Sequence, residues 1–307
     1  LSRLKGLGKP VYSFDRSIGF MSSLIRLIRP HQWVKNLLLF VPLFAAHRLN
    51  EPNLIWGCLA CFFAQSLIAS AGYILNDLLD AHADRAHPIK RNRPLAAGSF
   101  PVPQAMFLML FCLILGFVLA GLTPSPPYLY LCLYFLLSLS YSLYFKRKLM
   151  IDVMVLAGLY TLRIIMGGEA TGILVSPWLL AFSMFLFLSL AFLKRAGELL
   201  LWTENKVLPN RAYQREDLDI VLNLGPSSGM MAVLVFALYV SNEETHRLYH
   251  RQEWLWLVCP LLIYWIARMW FKARRGEIPS DPVLFALKDP ASLLCGLSVL
   301  ACMWLAI

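Results

Sequence analysis

Charge is scarce in this chain. Asp, Glu, Lys and Arg together supply 15% of its 307 residues, whereas 59% are hydrophobic. Soluble domains carry about a quarter charged residues, so an ordinary water-soluble domain is excluded. Acids are scarcer than bases, 18 against 28, which leaves a net charge of +10. The few carboxylates therefore stand out as candidates for chemistry. The first twenty residues lack an apolar core, so no signal peptide is expected there. The chain begins at Leu1 rather than Met, which fits a piece of a longer protein or a trimmed one. Seven cysteines lie at 58, 61, 112, 132, 259, 295 and 302, all within apolar runs. An odd number so placed argues for free thiols and against a disulfide framework. Cys58 and Cys61 form a C-x-x-C without partners elsewhere and read as small helix-packing residues.

What the chain has in quantity is apolar runs of about 17–25 residues, the length that crosses a bilayer as helix. The expectation is an all-α polytopic membrane protein with nine spans. They fall at about 33–47, 55–80, 104–122, 127–145, 150–168, 177–201, 218–240, 254–272 and 290–307. Residues 1–30 form a basic, partly amphipathic segment expected along the membrane surface, and 31–307 the transmembrane domain. Of the 28 Lys and Arg residues, 24 fall on the side of the N-terminus and of the even-numbered span exits. An excess of basic residues marks the cytoplasmic side, so that side, with the N-terminus, is expected in the cytoplasm of a plasma-membrane protein. The connections there are the longer ones and carry nearly all the polar residues.

The densest polar stretch is Ser70 to Gly98, which starts inside an apolar run and ends in a basic segment. Asn76, Asp77, Asp80 and Asp84 lie at helical offsets that put the three carboxylates on one stripe, a turn apart from each other. Such a stripe repels itself unless a cation stands between its members. Oxygen-only donors suit Mg²⁺ shared with substrate phosphates. Lys90, Arg91 and Arg93 follow as donors for phosphate oxygens. Tyr73 and Ser70 continue the same face deeper, where ionisable groups are costly. The plainer reading is a solvated helix end with a surface-anchoring basic run; the depth of the stripe favours a metal–diphosphate site.

Further candidates lie at other basic ends. In Arg29-Pro30-His31-Gln32-Trp33-Val34-Lys35-Asn36, Lys35 and Asn36 are within reach of a phosphate, and Trp33 reads as an interface anchor. Lys35 can equally snorkel at a helix end. Tyr141 and Lys146 precede Asp152, a carboxylate just inside a span that needs a partner. Arg163 lies eleven residues further on the same face, as either a structural counter-ion or a phosphate ligand. It precedes Gly167-Gly168, which permits close helix packing. Lys194 and Glu198 are spaced for an i,i+4 pair and can also face substrate. Asp281-Pro282 and Lys288-Asp289 read as helix starts without chemistry.

On the stripe Asn76-Asp77-Leu78-Leu79-Asp80-Ala81-His82-Ala83-Asp84, the chain resembles the UbiA superfamily of intramembrane prenyltransferases, whose first motif is NDxxDxxxD. Within that superfamily, five segments are similar to the decaprenyl-phosphate phosphoribosyltransferases. They are Arg29 to Asn36, His87 to Gly98, Tyr141 to Lys146 with Asp152, Arg163 to Gly168, and Lys194-Arg195-Ala-Gly-Glu198. The resemblance covers about residues 20–300. It implies a nine-helix UbiA-like bundle and Mg²⁺ held by Asp77, Asp80 and Asp84. It also implies transfer of 5-phosphoribosyl from 5-phosphoribosyl-1-diphosphate to a polyprenyl monophosphate, releasing diphosphate, in cell-envelope synthesis. Aromatic prenyltransferases of the superfamily carry a second Asp-rich motif where this chain has Lys194-Arg195-Ala-Gly-Glu198. Polyprenyl transfer from a prenyl diphosphate to an aromatic acceptor is therefore the second expectation, and a lipid transporter without catalysis the third. The implied partners are the two anionic substrates and the membrane, not nucleic acid. Some relatives of this type are expected to carry a phosphatase-like domain, fused or separate.

Overall fold

In the computed structural model, residues 19–86, 90–201, 211–278 and 281–307 are described, and among them every regular element is helical. His87 and Pro88 of the basic motif and residues 1–18 of the N-terminal segment lie outside the described residues. In chain order the helices are α1 (Phe20–Ile28), α2 (Val41–Ala45), α3 (Pro52–Leu79), α4 (Ala81–Ala86), α5 (Val102–Ala120), α6 (Tyr128–Leu143) and α7 (Ile151–Thr171). They continue as α8 (Pro177–Leu201), α9 (Leu218–Val240), α10 (Glu243–Leu248), α11 (Glu253–Trp256), α12 (Val258–Arg274), α13 (Pro282–Ala286) and α14 (Pro290–Ala306).

Seven of the described helical stretches are long and apolar enough to cross a membrane. They are α3, α5, α6 run on to Arg147, α7, α8, α9 from Arg215, and α11 with α12. Helix α14 is apolar but has 17 residues. The segment expected as a first helical span at 33–47 is instead a 3-10 stretch, Pro30–Phe40, followed by the short α2. Pro30 opens that stretch, and Pro42 has no N–H with which to continue an α-helical ladder.

Two apolar cores meet along α7. One joins Leu39, Cys61 and Ile68 to Leu131, Leu162 and Met166. The other joins Val153 to Phe192, Leu199, Val221, Ile266 and Trp270. The expected close packing at Gly167 is present: a Cβ there would stand 1.9 Å from the carbonyl oxygen of Leu39. Only glycine lets the 3-10 stretch lie this close against α7, which sets Lys35 and Asn36 beside Arg163. The outer faces present large apolar side chains such as Phe107, Ile114 and Leu234, fit for a lipid solvent. All seven cysteines are free thiols, and Cys58 and Cys61 are buried packing residues.

Helix α1 is amphipathic, with Leu27 buried and Phe20, Met21 and Ile25 exposed. It ends at Arg29, whose backbone is left-handed (φ 55°, ψ 56°), and this turn swings the chain from surface helix to bundle.

Candidate active site

At the basic end of the bundle a chamber of about 310 Å³ opens between α3, α6, α7 and α8. Helix α3 contributes Tyr73 and Asn76, α6 contributes Tyr134 and Tyr141, and α7 contributes Tyr160 and Arg163. Lys194 enters from α8, Arg29, Gln32 and Lys35 from the turn after α1, and Asp281 from the start of α13. Lys35, Tyr73, Asn76, Tyr141, Arg163 and Lys194, all marked out in the sequence, thus line one cavity.

Arg163 is 5% exposed. Its Nε donates to Asn36 Oδ1 at 2.9 Å and its Nη2 to the Tyr134 hydroxyl at 2.9 Å, while Nη1 reaches the Leu159 carbonyl. Its guanidinium also sits over the rings of Tyr134 and Tyr160, at 4.8 and 5.4 Å. Every one of these partners is neutral. The sequence leaves Arg163 open between counter-ion and phosphate ligand; with neutral partners only, its charge is offered to the chamber. Asn36 is 1% exposed and donates to Ser66 Oγ at 2.9 Å, so it orients Arg163 rather than lining the cavity.

The carboxylate stripe forms the wall next to the chamber mouth. Helix α3 ends at Leu79, yet the i→i−4 bonds continue from Asp80 N to Asn76 O (2.9 Å) and from Asp84 N to Asp80 O (2.8 Å). Asp77 and Asp84 therefore keep one face, and a single nitrogen, Nη1 of Arg93, bonds both, at 3.1 and 2.7 Å. Arg29 Nη2 bonds both oxygens of Asp77, at 2.8 and 2.9 Å, and its guanidinium lies 5.2 Å from the Tyr73 ring centre. The cation that such a stripe requires is here arginine. Asp80 is half-buried and interacts electrostatically with Lys146, which also senses Lys90 and Arg211. Arg91 is exposed and lines neither the chamber nor the mouth.

Among the described residues no three His, Cys, Asp or Glu side chains converge as a metal cage. The donor set nonetheless fits a hard divalent ion that keeps waters and shares phosphate oxygens. Two carboxylates already share one positive group at Arg93 Nη1, and Asn76 and Asp80 stand within a turn.

Asp152 does not line the chamber. It is fully buried, accepts from Tyr213 Oη at 2.8 Å and pairs with Arg195, whose Nε lies 3.3 Å from its second oxygen. The partner that Asp152 needs is Arg195, not Arg163. Glu198 pairs with Arg195 and with Arg211 Nε at 3.5 Å, rather than with Lys194 one turn back, and this frees Lys194 for the chamber. Arg211 in turn donates to the Tyr141 hydroxyl at 3.1 Å. This network ties the segment after α8 to the first turn of α7. Burial and the neighbouring Asp152 carboxylate both push the Tyr213 phenol up, so it stays a proton donor.

Three side chains matter more than the sequence indicates. Arg29 stands out there only as a basic residue before Pro30. Asp281, read as a helix start, does cap α13 through Val283 N (3.2 Å) and Leu284 N (3.3 Å), but it also pairs with Lys35 and lines the chamber. Burial alone would raise its carboxyl, but Lys35 and Lys194 more than offset that and hold it below the ordinary value. Trp33, read as an interface anchor, is half-buried and donates to Ser70 Oγ at 3.0 Å. Asp289 is a helix start as expected, bonding Ser292 N at 2.9 Å, and also pairs with Arg268 at 2.6 Å.

Residues 37–200 match the UbiA prenyltransferase family. The chain belongs to that family. Over 88% of its length it is 38% identical to the uncharacterized protein y4nM of Sinorhizobium fredii, of which it spans about half (53%). It is 34% identical to the nodulation protein NoeC of Azorhizobium caulinodans, over 87% of each chain. It is 29% identical to decaprenyl-phosphate phosphoribosyltransferase of Mycobacterium tuberculosis, over 93% of each chain. The fold superposes on a UbiA homolog from Archaeoglobus fulgidus bound to DMAPP and Mg²⁺, with TM-score 0.67 at 17% identity, covering 92% of this chain and 98% of that one. The chain is thus a multi-helix member of the UbiA family, with seven described stretches long and apolar enough to cross a membrane.

Proposed function

We propose that the protein transfers 5-phosphoribosyl from 5-phosphoribosyl-1-diphosphate to a polyprenyl monophosphate, at the cytoplasmic face of a nine-span bundle whose N-terminus is cytoplasmic. The observation that carries this reading is the charge of the chamber. Four cations, Arg29, Lys35, Arg163 and Lys194, line it with one carboxylate, Asp281; Lys35 pairs with Asp281 and Arg29 with Asp77, so Arg163 and Lys194 face it with no salt bridge among the described residues. A chamber so lined suits a small donor with phosphates at both ends better than a prenyl chain with one charged head. Tyr73, Tyr134, Tyr141 and Tyr160 add hydroxyls suited to a sugar. The relationship to decaprenyl-phosphate phosphoribosyltransferase over nearly the whole chain supports the same reaction.

In that reaction an oxygen of the lipid phosphate bonds to C1 of the ribose. The C1–O bond to diphosphate breaks, and diphosphate leaves with the electron pair. The acceptor is already an anion at neutral pH, so the chain needs no strong base. Its tasks are to orient both anions and to stabilise the charge that builds on the leaving group. A divalent ion, Mg²⁺ by the donor chemistry, would be held by Asp77, Asp80 and Asp84 with Asn76, and would supply neutralisation of that leaving charge. Arg163 and Lys194 hold the inner phosphate, and Lys35 is positioned by Asp281. Lys90, Arg93 and Lys146 hold the outer one. Asp152 and Glu198 act through the buried network that sets Tyr141.

The second reading, prenyl transfer, is favoured by the fold neighbour that binds DMAPP with Mg²⁺. Against it, among the described residues the exit of α8 offers no second pair of free carboxylates: Glu198 is taken by Arg195 and Arg211. Purified protein with Mg²⁺, polyprenyl monophosphate and radiolabelled phosphoribosyl diphosphate separates the two. Label extracted into lipid, and lost in Asp77→Ala/Asp80→Ala and with EDTA, supports phosphoribosyl transfer. Unlabelled lipid, with prenyl diphosphate consumed in the presence of an aromatic acceptor, rejects it. A soluble phosphatase-like partner acting on the 5-phosphate product belongs to the same proposal.

A further inference from the structure

The wall that α6 gives the chamber is made of hydroxyls alone: Tyr134, Ser138, Tyr141 and Ser142 line the cavity from this helix. The Tyr134 hydroxyl accepts from Arg163 at 2.9 Å and that of Tyr141 from Arg211 at 3.1 Å, so a guanidinium holds each ring in place. The two serines are placed otherwise. A serine inside a helix commonly closes its hydroxyl onto the carbonyl one turn back. Ser70, Ser227, Ser228 and Ser298 all do so here, at 2.7–2.9 Å. Ser138 and Ser142 are half-buried, make no side-chain hydrogen bond among the described residues, and open onto the chamber. Ser138 stands one turn beyond Tyr134 and Ser142 two, about 6 and 12 Å along the helix axis. At the inner end of this wall Tyr134 meets Arg163; four residues past Ser142, Lys146 interacts with Asp80 of the carboxylate stripe. The serines thus lie between the cation proposed for the inner phosphate and the groups proposed for the outer one.

We infer that Ser138 and Ser142 recognise the 2- and 3-hydroxyls of the ribose, and so select a pentosyl donor over one whose middle carries no hydroxyls. The inference rests on the proposed phosphoribosyl transfer and names the residues that read its sugar. A serine hydroxyl both donates and accepts, as a ribose hydroxyl does. A phosphate at neutral pH chiefly accepts, and Arg163, Lys194 and Lys146 serve that need with charge. In the donor the ribose separates the 5-phosphate from the 1-diphosphate, and the two serines occupy the corresponding middle of the α6 wall. A prenyl diphosphate laid along the same wall would take both hydroxyls out of water and give them no partner, a loss that a site built for hydrogen bonding does not recover. Affinity then comes from the charged groups, and preference for the sugar from the neutral ones.

The test is a binding measurement that needs no turnover. The whole chain, in detergent with Mg²⁺, is titrated calorimetrically with two carbocyclic analogues of phosphoribosyl diphosphate, one bearing both ring hydroxyls and one bearing neither. Such rings lack the oxygen whose lone pair drives loss of diphosphate, so both ligands persist. Wild type is expected to bind the hydroxylated analogue about tenfold more tightly than the bare one. Ser138→Ala/Ser142→Ala is expected to lose that preference while binding the bare analogue within about twofold of wild type. Alanine is a good helix former, and an unchanged unfolding midpoint checks the fold of the variant. No preference in wild type overturns the inference without any variant. An equal preference in variant and wild type overturns it, and so does a variant that weakens both analogues alike, since the serines then shape the wall without reading the sugar. Any of these results, with the hydroxylated analogue bound tightly by wild type, leaves phosphoribosyl transfer standing. Wild type that binds neither analogue but does bind dimethylallyl diphosphate rejects the reaction and the inference with it.

Discussion

Arg29 and Asp77 are 48 positions apart in sequence, and one guanidinium nitrogen of Arg29 bonds both carboxylate oxygens of Asp77 at 2.8 and 2.9 Å. The pair is held by a left-handed residue that is not glycine, a conformation costing about 1–2 kcal/mol. Together with Arg93 it keeps the most buried carboxylate of the stripe neutralised before any metal arrives. The arginines and a divalent ion thus compete for the same oxygens, and substrate phosphates are what would draw the arginines away.

The first prediction follows from that competition. Arg93→Gln removes the cation shared by Asp77 and Asp84, so divalent ions gain access without substrate. Mn²⁺ added to the substrate-free variant is expected to raise its unfolding midpoint, and to do so at about tenfold lower concentration than in wild type. Equal responses would mean that these carboxylates do not hold the metal.

The chamber's inner cation gives the second. Arg163→Lys keeps the charge but cannot bond Asn36, Leu159 and Tyr134 together, because only the guanidinium fork reaches all three. Expected is a folded protein whose KM for phosphoribosyl diphosphate rises about 10–100-fold with a smaller change in kcat. Asn36→Ala, which removes the brace on Nε together with Asn36's own bond to Ser66, is expected to show the same pattern more weakly. A lowered unfolding midpoint with unchanged KM would make Arg163 structural.

What is legible in the sequence, and what is not, divides along one physical line. Spans 177–201 and 218–240 coincide with α8 and α9, because long apolar runs bounded by Pro177 and by Asp217 define helices locally. The stripe's shared face is legible too, since offsets along one helix fix it; Arg93 touching both Asp77 and Asp84 shows the result. What local pattern cannot supply is partnership at long range. Lys35 pairs with Asp281 across 246 positions. Glu198 has a partner at ideal spacing in Lys194, yet turns instead to Arg195 and Arg211, because buried Arg195 also needs an acid. The first span reads as regular helix because its hydropathy is helical, whereas Pro42 and the press of Leu39 on Gly167 hold it in a tighter coil.

The buried Asp152–Arg195 pair yields a stability prediction. Both side chains are fully buried, so neither charge can turn to water. Arg195→Met strands the Asp152 carboxylate and is expected to cost about 3–5 kcal/mol, read as a lower midpoint in denaturant. Asp152→Asn/Arg195→Met, which removes both charges, is expected to recover a large part of that loss. Additive losses in the double variant would show that the two residues do not act as a pair.

Asp281 gives the last prediction, and its sign follows from the direction of its shift. Lys35 and Lys194 hold its carboxyl below the ordinary value despite burial, so the ionised form is the one the fold favours. A carboxyl depressed by folding adds stability that is fully present above its unfolded pKa, about 4, and is lost as pH falls below that toward the folded value. Protonation there removes both the cap of α13 and the anchor of Lys35, so the same step loosens the chamber wall. Thermal midpoints of the detergent-solubilised protein should therefore fall as pH drops below about 4, with a component absent from Asp281→Asn. Above about pH 5 the wild type should exceed that variant by a constant margin. If the two acid limbs run parallel, Asp281 titrates alike in folded and unfolded chains, and its pairing with Lys35 does not hold the chamber closed.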